Sequence, residues 1–332
     1  GTNLLLLPFY TRALSPSDYG TSEIVSALVG FLGILFAMEI GQGLYRYFPE
    51  VHSDREKKDF ASTAFWYVIA VSIFLVIICL SYSRQVANLF FDGPEKSIFI
   101  IIAAFTLLFY IPYSLLALVL RAQFQAIRYG IVNLIVTIFS IVISIITVLV
   151  LKMGIIGVLM GNMVGYMAGV VVSIIYTRQY IGRFVRWDAL KAMLSFSIPL
   201  VPSGLGYFAL QYVNRLVLSF MLTLSDVGLF GIANRLVSPI SLIMNGFASS
   251  ITPLVYSNYR SEDTPPVIAR IFRVIFSGCL ALILVISVFS KEILILTTPR
   301  EYHFAAGIMP VLAISELLSV MNVFTMGLVI AK

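Results

Sequence analysis

The heptapeptide LSPSDYG at residues 14–20 recurs as LTLSDVG at residues 222–228, without a gap and at an offset of 208. Extending the register over residues 14–29 and 222–237 gives seven identities in sixteen positions. Apolar composition raises such a score, so the shared polar pattern Ser-Asp-x-Gly is the stronger part of the match. A repeat of this length predicts a chain built from two related halves.

The composition around this repeat is that of a membrane protein. Sixty per cent of the 332 residues are apolar and only 11% are charged, whereas a bilayer core about 30 Å thick needs roughly 20 mostly apolar residues per helix. Seven long windows contain no charged residue: 61–82, 97–120, 129–151, 153–177, 192–214, 236–259 and 274–290. Weaker windows at 24–45 and 303–331, and an incomplete one at 1–13, bring the predicted count to ten spans.

The repeat predicts how the two halves are related. Ser83-Arg84 matches Ser290-Lys291 at an offset of 207, and six predicted spans separate equivalent points. An even number of spans returns the chain to the same side, so we expect a parallel repeat with its pseudo-two-fold axis along the membrane normal. By this register Gly1 aligns near Ala209 and Lys332 near Ala122, which predicts a complete protein of at least twelve spans.

We therefore expect an all-α, polytopic membrane protein with three parts. Residues 1–177 form an N-terminal helical bundle and residues 195–332 a C-terminal one. Between them, residues 178–194 alternate four basic residues with Ile181, Phe184, Trp187 and Leu190. That alternation is typical of an amphipathic helix lying on anionic lipid; a site for a protein partner is the alternative.

The basic residues predict an orientation. The pI is about 9.3, but Lys and Arg are spread between the spans, so the positive-inside rule accounts for them better than nucleic-acid binding does. Fourteen fall in the predicted cytoplasmic segments, six in the outer segments, and Arg215 and Arg235 within spans. The bias predicts an inner-membrane protein with residues 49–59 and 178–194 in the cytoplasm and 83–97 and 222–228 outside.

Several functions find no support in the sequence. Cys79 and Cys279 lie in apolar windows, and His52 and His303 are isolated, so we expect neither a disulfide framework nor a metal site. The longest polar stretch, residues 49–59, is far shorter than a folded catalytic domain. We expect no enzymatic activity and no cofactor.

Four stretches resemble the lipid-linked oligosaccharide flippases of bacterial polysaccharide synthesis, including the O-antigen type. That family belongs to the multidrug/oligosaccharidyl-lipid/polysaccharide exporter superfamily. The stretches are LPFYTRALSPSDYG (7–20), GLYRYFPE (43–50), FSIPLVPSGLGYFALQYVNRLVLSFML (196–222) and SDVGLFGIANRL (225–236). The resemblance implies a MATE-like fold of two six-helix bundles around a central cavity, with alternating access. It implies undecaprenyl-pyrophosphate-linked repeat units as the substrate, with a polysaccharide polymerase and a chain-length regulator as partners. The family's Asp-Arg pair is Asn214-Arg215 here, which keeps the cation and removes the acid.

Arg215 and Arg235 are the main candidates for substrate binding, together with Asn214. Arg215 lies seven residues before Leu222 and Arg235 seven after Gly228, so both sit about 10 Å below the outer turn. Arginine donates two parallel hydrogen bonds to phosphate oxygens and stays charged. We expect both to face one cavity and bind the pyrophosphate; the alternative is that they snorkel to the outer interface.

Other polar residues in the spans are weaker candidates. Arg12 and Arg46 bound the first two spans, either as interface anchors or as part of the cavity. Glu39 is expected to carry a coupling ion or to pair with Arg46 seven residues on. Glu316 is expected to hold an ion or to meet an Arg of the other half.

Prolines and glycines within the spans predict local backbone features. Pro199 and Pro202 predict a hinge or a packing kink. Glycines 157, 161, 165 and 169 predict close helix packing.

Two other functions remain open at this point. A multidrug/cation antiporter of the same fold should have an acidic cavity, whereas cations in the spans favour an anionic ligand. A polysaccharide polymerase or ligase would be an enzyme, and such enzymes usually carry a long outer loop with catalytic residues. The longest predicted outer loop, residues 83–97, has fifteen residues and no cluster of acid-base groups.

Overall fold

The structure is a computed structural model and describes residues 7–51, 53–91, 93–243 and 264–318. Every regular element in these ranges is helical. An all-helical chain is what an apolar sequence of this kind requires, because a helix satisfies its own backbone hydrogen bonds where lipid offers no partners. The first eight helices are α1 (Leu7–Ala13), α2 (Pro16–Ala37), α3 (Ile40–Glu50), α4 (Asp54–Ser81), α5 (Ser83–Phe91), α6 (Ser97–Ala122), α7 (Ala126–Ile145) and α8 (Ile155–Thr177).

The second part of the chain is more interrupted. Its helices are α9 (Trp187–Ser197), α10 (Val201–Phe208), α11 (Asn214–Met221), α12 (Leu224–Val237), α13 (Thr264–Val288), α14 (Ser290–Thr297) and α15 (Met309–Leu318). The 3-10 turn Ile198–Leu200 joins α9 to α10, and the π-helical turn Ala209–Val213 joins α10 to α11. Together these elements make one apolar run, Trp187–Met221.

The chain forms two compact units. The central unit is Gly20–Leu224, and the terminal unit combines Gly1–Tyr19 with Ser225–Lys332. Our division at residues 178–194 rests on the sequence repeat and stays a prediction.

Seven helical runs of the described residues are long and apolar enough to cross a membrane. Arg273–Val288 and Ser290–Thr297, bent by 68° at their junction, make an eighth if the pair counts as one span. The predicted windows 236–259 and 303–331 lie partly outside the described residues. The total of ten therefore stays a prediction.

The heptapeptide repeat coincides with helix starts. Ser15 and Asp18 form a reciprocal cap on α2: the Asp18 carboxylate accepts the Ser15 N–H (3.1 Å), and Ser15 Oγ accepts the Asp18 N–H (3.2 Å). Such a box satisfies backbone donors that a helix start leaves without partners. α12 begins at Leu224, at the same offset of 208 from the Pro16 start of α2.

The order of elements also recurs. A long helix, a one-residue break and a short helix occur as α4, Tyr82 and α5, and again as α13, Phe289 and α14. A 3-10 turn follows each short helix, Pro94–Lys96 in one case and Arg300–Gly307 in the other. The repeat therefore exists as a succession of elements, while the axis that relates the halves stays a prediction.

The glycine stripe of α8 packs against α7 in the central unit, as predicted. A Cβ built on Gly157 would lie 2.7 Å from Thr147 Oγ1, and one on Gly161 would lie 2.8 Å from the backbone oxygen of Ser140. Real side chains do not approach so closely. Glycine is required here because the two helix backbones nearly touch.

The linker at residues 178–194 is not one amphipathic helix, which corrects our expectation. Arg178–Tyr180 is a 3-10 turn, residues 181–186 are irregular, and α9 begins at Trp187. Side chains of α4 explain the difference, because they satisfy the backbone groups that a helix would otherwise pair. Trp66 Nε1 donates to the Gly182 oxygen (2.8 Å), and Thr63 Oγ1 accepts the Arg186 N–H (3.0 Å).

Candidate functional site

Glu39 stands at a break between α2 and α3. Met38 and Glu39 have φ angles of 50° and 52°, in the left-handed region that side chains other than glycine rarely adopt. Each such residue costs on the order of 1 kcal/mol and persists only where surrounding structure holds it. The Gln42 backbone N–H donates to the Glu39 backbone carbonyl oxygen at 2.8 Å, which starts α3 in its new direction.

The break places Glu39 in a cavity of about 350 Å³ within the central unit. Polar side chains from several helices line this cavity with it: Gln42, Tyr110, Ser114, Tyr207 and Tyr212. Glu39 is the one charged residue among the described residues that line the cavity. A Cβ on Gly204 would collide with the end of the Glu39 side chain, so the lack of a side chain at residue 204 leaves room for the carboxylate in its present position. We call this space the Glu39 cavity.

A second, larger cavity of about 520 Å³ lies in the same unit. Apolar side chains line it, among them Leu28 and Leu32 of α2, Leu107 of α6 and Leu205 of α10. Phe208 lines both this apolar cavity and the Glu39 cavity. Its ring stacks on Tyr212, with centroids 5.3 Å apart. One aromatic residue therefore belongs to the walls of both cavities.

Arg215 lies beside a carboxylate that the sequence analysis did not single out. Its Nε is 2.6 Å from Glu23 Oε2, and the two side chains are only 10% and 6% exposed. The contact is an ion pair without the alignment of a hydrogen bond. Nη1 donates to the Gln211 oxygen, and the guanidinium lies 5.1 Å from the centre of the Tyr212 ring. The signal for Glu23 was present as a lone acid directly before the window 24–45, but nothing local ties it to a residue 192 positions away.

Arg235 has different partners, in the terminal unit. Nη1 donates to the Tyr19 hydroxyl at 2.7 Å, and the guanidinium lies 4.7 Å from the centre of that ring. Tyr19 packs edge-on against the buried Tyr302, whose hydroxyl donates to the Leu14 oxygen at 2.7 Å. Burial raises the pKa of the Tyr302 phenol, which therefore stays protonated as a donor. That Arg215 and Arg235 share one cavity stays a prediction, because they belong to different units.

Arg46 lies at the surface of the central unit, where its guanidinium is 4.5 Å from the centre of the Phe196 ring and 5.5 Å from that of Tyr47. The expected Glu39–Arg46 pair is not formed. The pairing argument assumed an unbroken helix, and the turn at Met38 and Glu39 removes the common face.

The other predicted residues are dispersed. Asn214 is exposed at the start of α11, and Arg12 is exposed in the last turn of α1. Glu316 of the terminal unit hydrogen-bonds with the Ser241 side chain, where we had expected an ion or an arginine. Pro199 and Pro202 stand at the starts of the turn Ile198–Leu200 and of α10, where a proline ring fits. Whether they act as a hinge stays a prediction.

The described residues contain no group of three or more His, Cys, Asp or Glu that could hold a metal ion. His303 Nε2 lies 3.3 Å from the Thr298 oxygen. His52 lies outside the described residues.

Comparisons with known proteins agree on the class of molecule. The family described as polysaccharide biosynthesis protein matches residues 1–258. No curated protein sequence matches the chain. Solved structures of transporters are similar to it at the level of the fold. One, the inward-facing conformation of a multidrug resistance MATE family transporter of the MOP superfamily, aligns with a TM-score of 0.77 and 15% identity over 98% of this chain and 79% of that one.

The outward-facing conformation of such a transporter gives a TM-score of 0.63 and 16% identity over 98% of this chain and 77% of that one. A mutant of the Vibrio cholerae MATE transporter VcmN gives a TM-score of 0.54 and 14% identity over 100% of this chain and 87% of that one. At these identities the likeness shows the fold alone. The family match is different, because it extends over more than three quarters of the sequence. The chain therefore belongs to the polysaccharide biosynthesis protein family of the MOP exporters, and it is a multi-pass membrane protein with a MATE-like fold.

Proposed function

We propose that this protein carries undecaprenyl-pyrophosphate-linked oligosaccharide repeat units across the inner membrane by alternating access. The family match over residues 1–258 carries the proposal, because the family is one of exporters in polysaccharide biosynthesis. The headgroup would cross in a polar cavity while the lipid tail stays in the bilayer. A polysaccharide polymerase and a chain-length regulator would then use the delivered units.

The buried pair of Arg215 and Glu23 supports an anionic ligand in a specific way. Without substrate, each charge neutralises the other in surroundings of low dielectric constant, where an unpaired charge is costly. A pyrophosphate offers the guanidinium more oxygens than one carboxylate does, so it would compete with Glu23 for Arg215. Substrate binding would therefore exchange one partner of Arg215 for another.

The test is transport by the purified full chain in sealed vesicles. We expect a lipid-linked oligosaccharide with a pyrophosphate bridge, supplied in the outer leaflet of the vesicle, to reach the inner leaflet. A glycosidase enclosed in the lumen can cleave it there. Expression of the gene should also restore surface polysaccharide to a strain that lacks its own flippase. Protein that is folded but moves no lipid-linked oligosaccharide would contradict the proposal.

A second function, a multidrug/cation antiporter, is favoured by the Glu39 cavity. This cavity suits an organic cation, because it is lined by one carboxylate and by the rings of Tyr110, Tyr207 and Tyr212. The faces of tyrosine rings attract cations. In the same vesicles, uptake of an organic cation driven by a proton or sodium gradient would indicate this function. Loss of that uptake in Glu39→Gln would assign it to the cavity.

A further inference from the structure

The apolar cavity lies within one half of the membrane-spanning part of the central unit. Ile100 and Leu107 line it from α6, so it extends over about 10 Å of a helix that begins at Ser97. Val86 and Phe90 of the preceding short helix α5 line it as well. One leaflet makes up half of a bilayer core that is about 30 Å thick. The cavity therefore lies at the depth of the chains of a single leaflet, which is the outer one in the orientation that the basic residues predict.

The lining of the apolar cavity offers no partner to a polar group. Among the described residues that line it, the Cys79 sulfur is the one side-chain atom, apart from hydrogen, that is not carbon. A buried water needs two to four polar partners, whereas an apolar cavity of about 150 Å³ already binds benzene. At about 520 Å³ this cavity has room for a longer hydrocarbon. Its ligand is therefore recognised by an apolar chain and not by a charged headgroup.

One aromatic pair separates the apolar cavity from exposed apolar surface. Phe90 lines the cavity, and its ring packs against that of Phe220 in α11 with centroids 5.2 Å apart. Phe220 is 59% exposed, and the neighbouring residues Leu89 and Met221 are exposed as well. Exposed apolar surface of this kind marks contact with a membrane in a chain that crosses one. Rotation of the two rings would admit a lipid chain from the bilayer into the cavity.

The apolar run Trp187–Met221 has the most to gain from such a ligand. Of the seven runs in the described residues that are apolar enough to cross a membrane, it is the least buried: 17% of its window is buried, against 28–56% for the others. Leu205 and Leu216 of this run line the apolar cavity together with Leu28 of α2. A chain in the cavity would contact both walls and hold α10 and α11 against α2.

We propose that the apolar cavity binds one acyl chain of a membrane phospholipid, which enters past Phe90 and Phe220 and stabilises the packing of α10 and α11 against α2. The headgroup of the phospholipid stays at the membrane surface. Phospholipid surrounds the protein at high concentration, so even weak binding fills the cavity by mass action. The assignment does not rest on the proposed function, because it requires only that these helices cross a membrane.

Photo-crosslinking locates the chain. The probe is phosphatidylcholine with a diazirine midway along one acyl chain, and the purified full chain is irradiated in nanodiscs that contain it. Lipid around the protein labels exposed residues such as Leu89 in any case. We expect label also at Cys79 and Ile100, which line the cavity and are only 8% and 3% exposed. Label confined to exposed residues, mapped by mass spectrometry, would overturn the proposal.

A cavity-filling variant and a second cysteine provide the controls. Ala103 lines the cavity, so the ring of Ala103→Phe should occupy the space of the chain. Label at Cys79 should then fall to background, while label at Leu89 stays unchanged. Cys279 is also buried and lies in the terminal unit, and it should carry no label in either protein. Persistent label at Cys79 in the variant, or equal label at both cysteines of the natural protein, would contradict a site in this cavity.

A second probe identifies the source of the chain. It is a polyprenyl phosphate with the same diazirine midway along its chain, present at the same fraction of the lipid. We expect the phosphatidylcholine probe to label Cys79 and Ile100 at least as strongly. Cavity label from the polyprenyl probe alone would overturn the proposal and assign the cavity to the chain of a transported lipid.

Thermal unfolding tests the stabilising role. The delipidated natural protein should gain midpoint temperature when phosphatidylcholine is added, because a ligand that binds only the folded state stabilises it. Ala103→Phe should gain less, since its own ring already fills the cavity. Equal gains in the two proteins would show that phospholipid acts from outside the cavity, and would overturn this role.

Discussion

Arg215 and Glu23 form a buried ion pair in the central unit. Removing one partner leaves the other charge buried, so Arg215→Ala or Glu23→Ala should each lower the free energy of unfolding by about 3–5 kcal/mol. The neutral double variant Arg215→Met with Glu23→Gln should lose much less than the sum of the two. The free energy of unfolding in detergent is measured for the natural protein, the two single variants and the double variant. Additive losses would show that the two groups do not interact.

The same double variant separates stability from transport. If the ion pair only supports the fold, the neutral double variant should restore surface polysaccharide as the natural protein does. If Arg215 also binds pyrophosphate, this variant should fold and yet fail to export. We expect the second result.

Glu39 can be displaced without removing its charge. In Gly204→Ala the new Cβ collides with the end of the Glu39 side chain, which is flexible, so the carboxylate should move aside at little cost to stability. We expect Gly204→Ala to lower transport in the vesicle experiments nearly as much as Glu39→Gln does. Gly206→Ala is the matched control on the same helix, because its Cβ meets open space. Equal transport by both glycine variants would exclude a role for the position of Glu39.

At the scale of elements, the contact between α7 and α8 tolerates no side chain at Gly161. A Cβ there would lie 2.8 Å from the Ser140 oxygen and 2.9 Å from the Ser144 nitrogen, and backbone atoms cannot rotate away. Gly161→Ala should therefore destabilise the protein by about 1–3 kcal/mol. Gly130→Ala in α7 meets no atom within 4 Å and should be neutral or stabilising by up to about 1 kcal/mol. Thermal denaturation in detergent compares the two variants, and similar midpoint temperatures for both would contradict the packing argument.

The elements show which sequence signals are sufficient. Glycines at every fourth residue of α8 predicted close packing because the period itself sets the face. The single helix expected over residues 178–194 is not formed, since the backbone there pairs with Thr63 and Trp66 of a distant helix. The left-handed turn at Met38 and Glu39 was not predictable, because it carries no glycine to announce it.

At the scale of the whole molecule, the composition and the resemblance were sufficient for the class of protein and its family. Individual sites were harder to predict, since a charge within a span reveals that it needs a partner but not which one. Arg215 stood out as a charge within a span, but its partner Glu23 lies 192 residues earlier in the chain and no periodic pattern joins them. Partners of buried charges are therefore the part of such a protein that requires a structure.

The orientation in the membrane is a property of the whole chain and can be tested directly. In a variant without Cys79 and Cys279, a single cysteine at position 226 should react with an impermeant thiol reagent in intact cells, and one at position 54 should not. The reason is the excess of Lys and Arg in the segments predicted to be cytoplasmic. Both cysteines should react after the cells are opened. Labelling of position 54 but not of position 226 in intact cells would reverse the orientation.

The joint action of Arg215 and Arg235 on one pyrophosphate is a prediction from the sequence, and it can be tested by mutation. Each cation should contribute on the order of 1.5–3 kcal/mol, the range for a hydrogen bond to a charged group, so losing one should weaken binding about ten- to a hundredfold. Arg215→Lys keeps the charge without the planar fork and should be partly defective, whereas Arg215→Ala should be severe.

If one ligand joins both cations, Arg215→Ala combined with Arg235→Ala should add less than the two single losses together. Export of surface polysaccharide in a strain without its own flippase measures this, with protein levels checked by immunoblot. Because Arg235 also donates to Tyr19, Tyr19→Phe serves as a control for the loss of that contact alone. Full export by the double alanine variant at normal expression would rule out the pyrophosphate clamp. Both arginines would then be structural, held by Glu23 in one unit and by Tyr19 in the other.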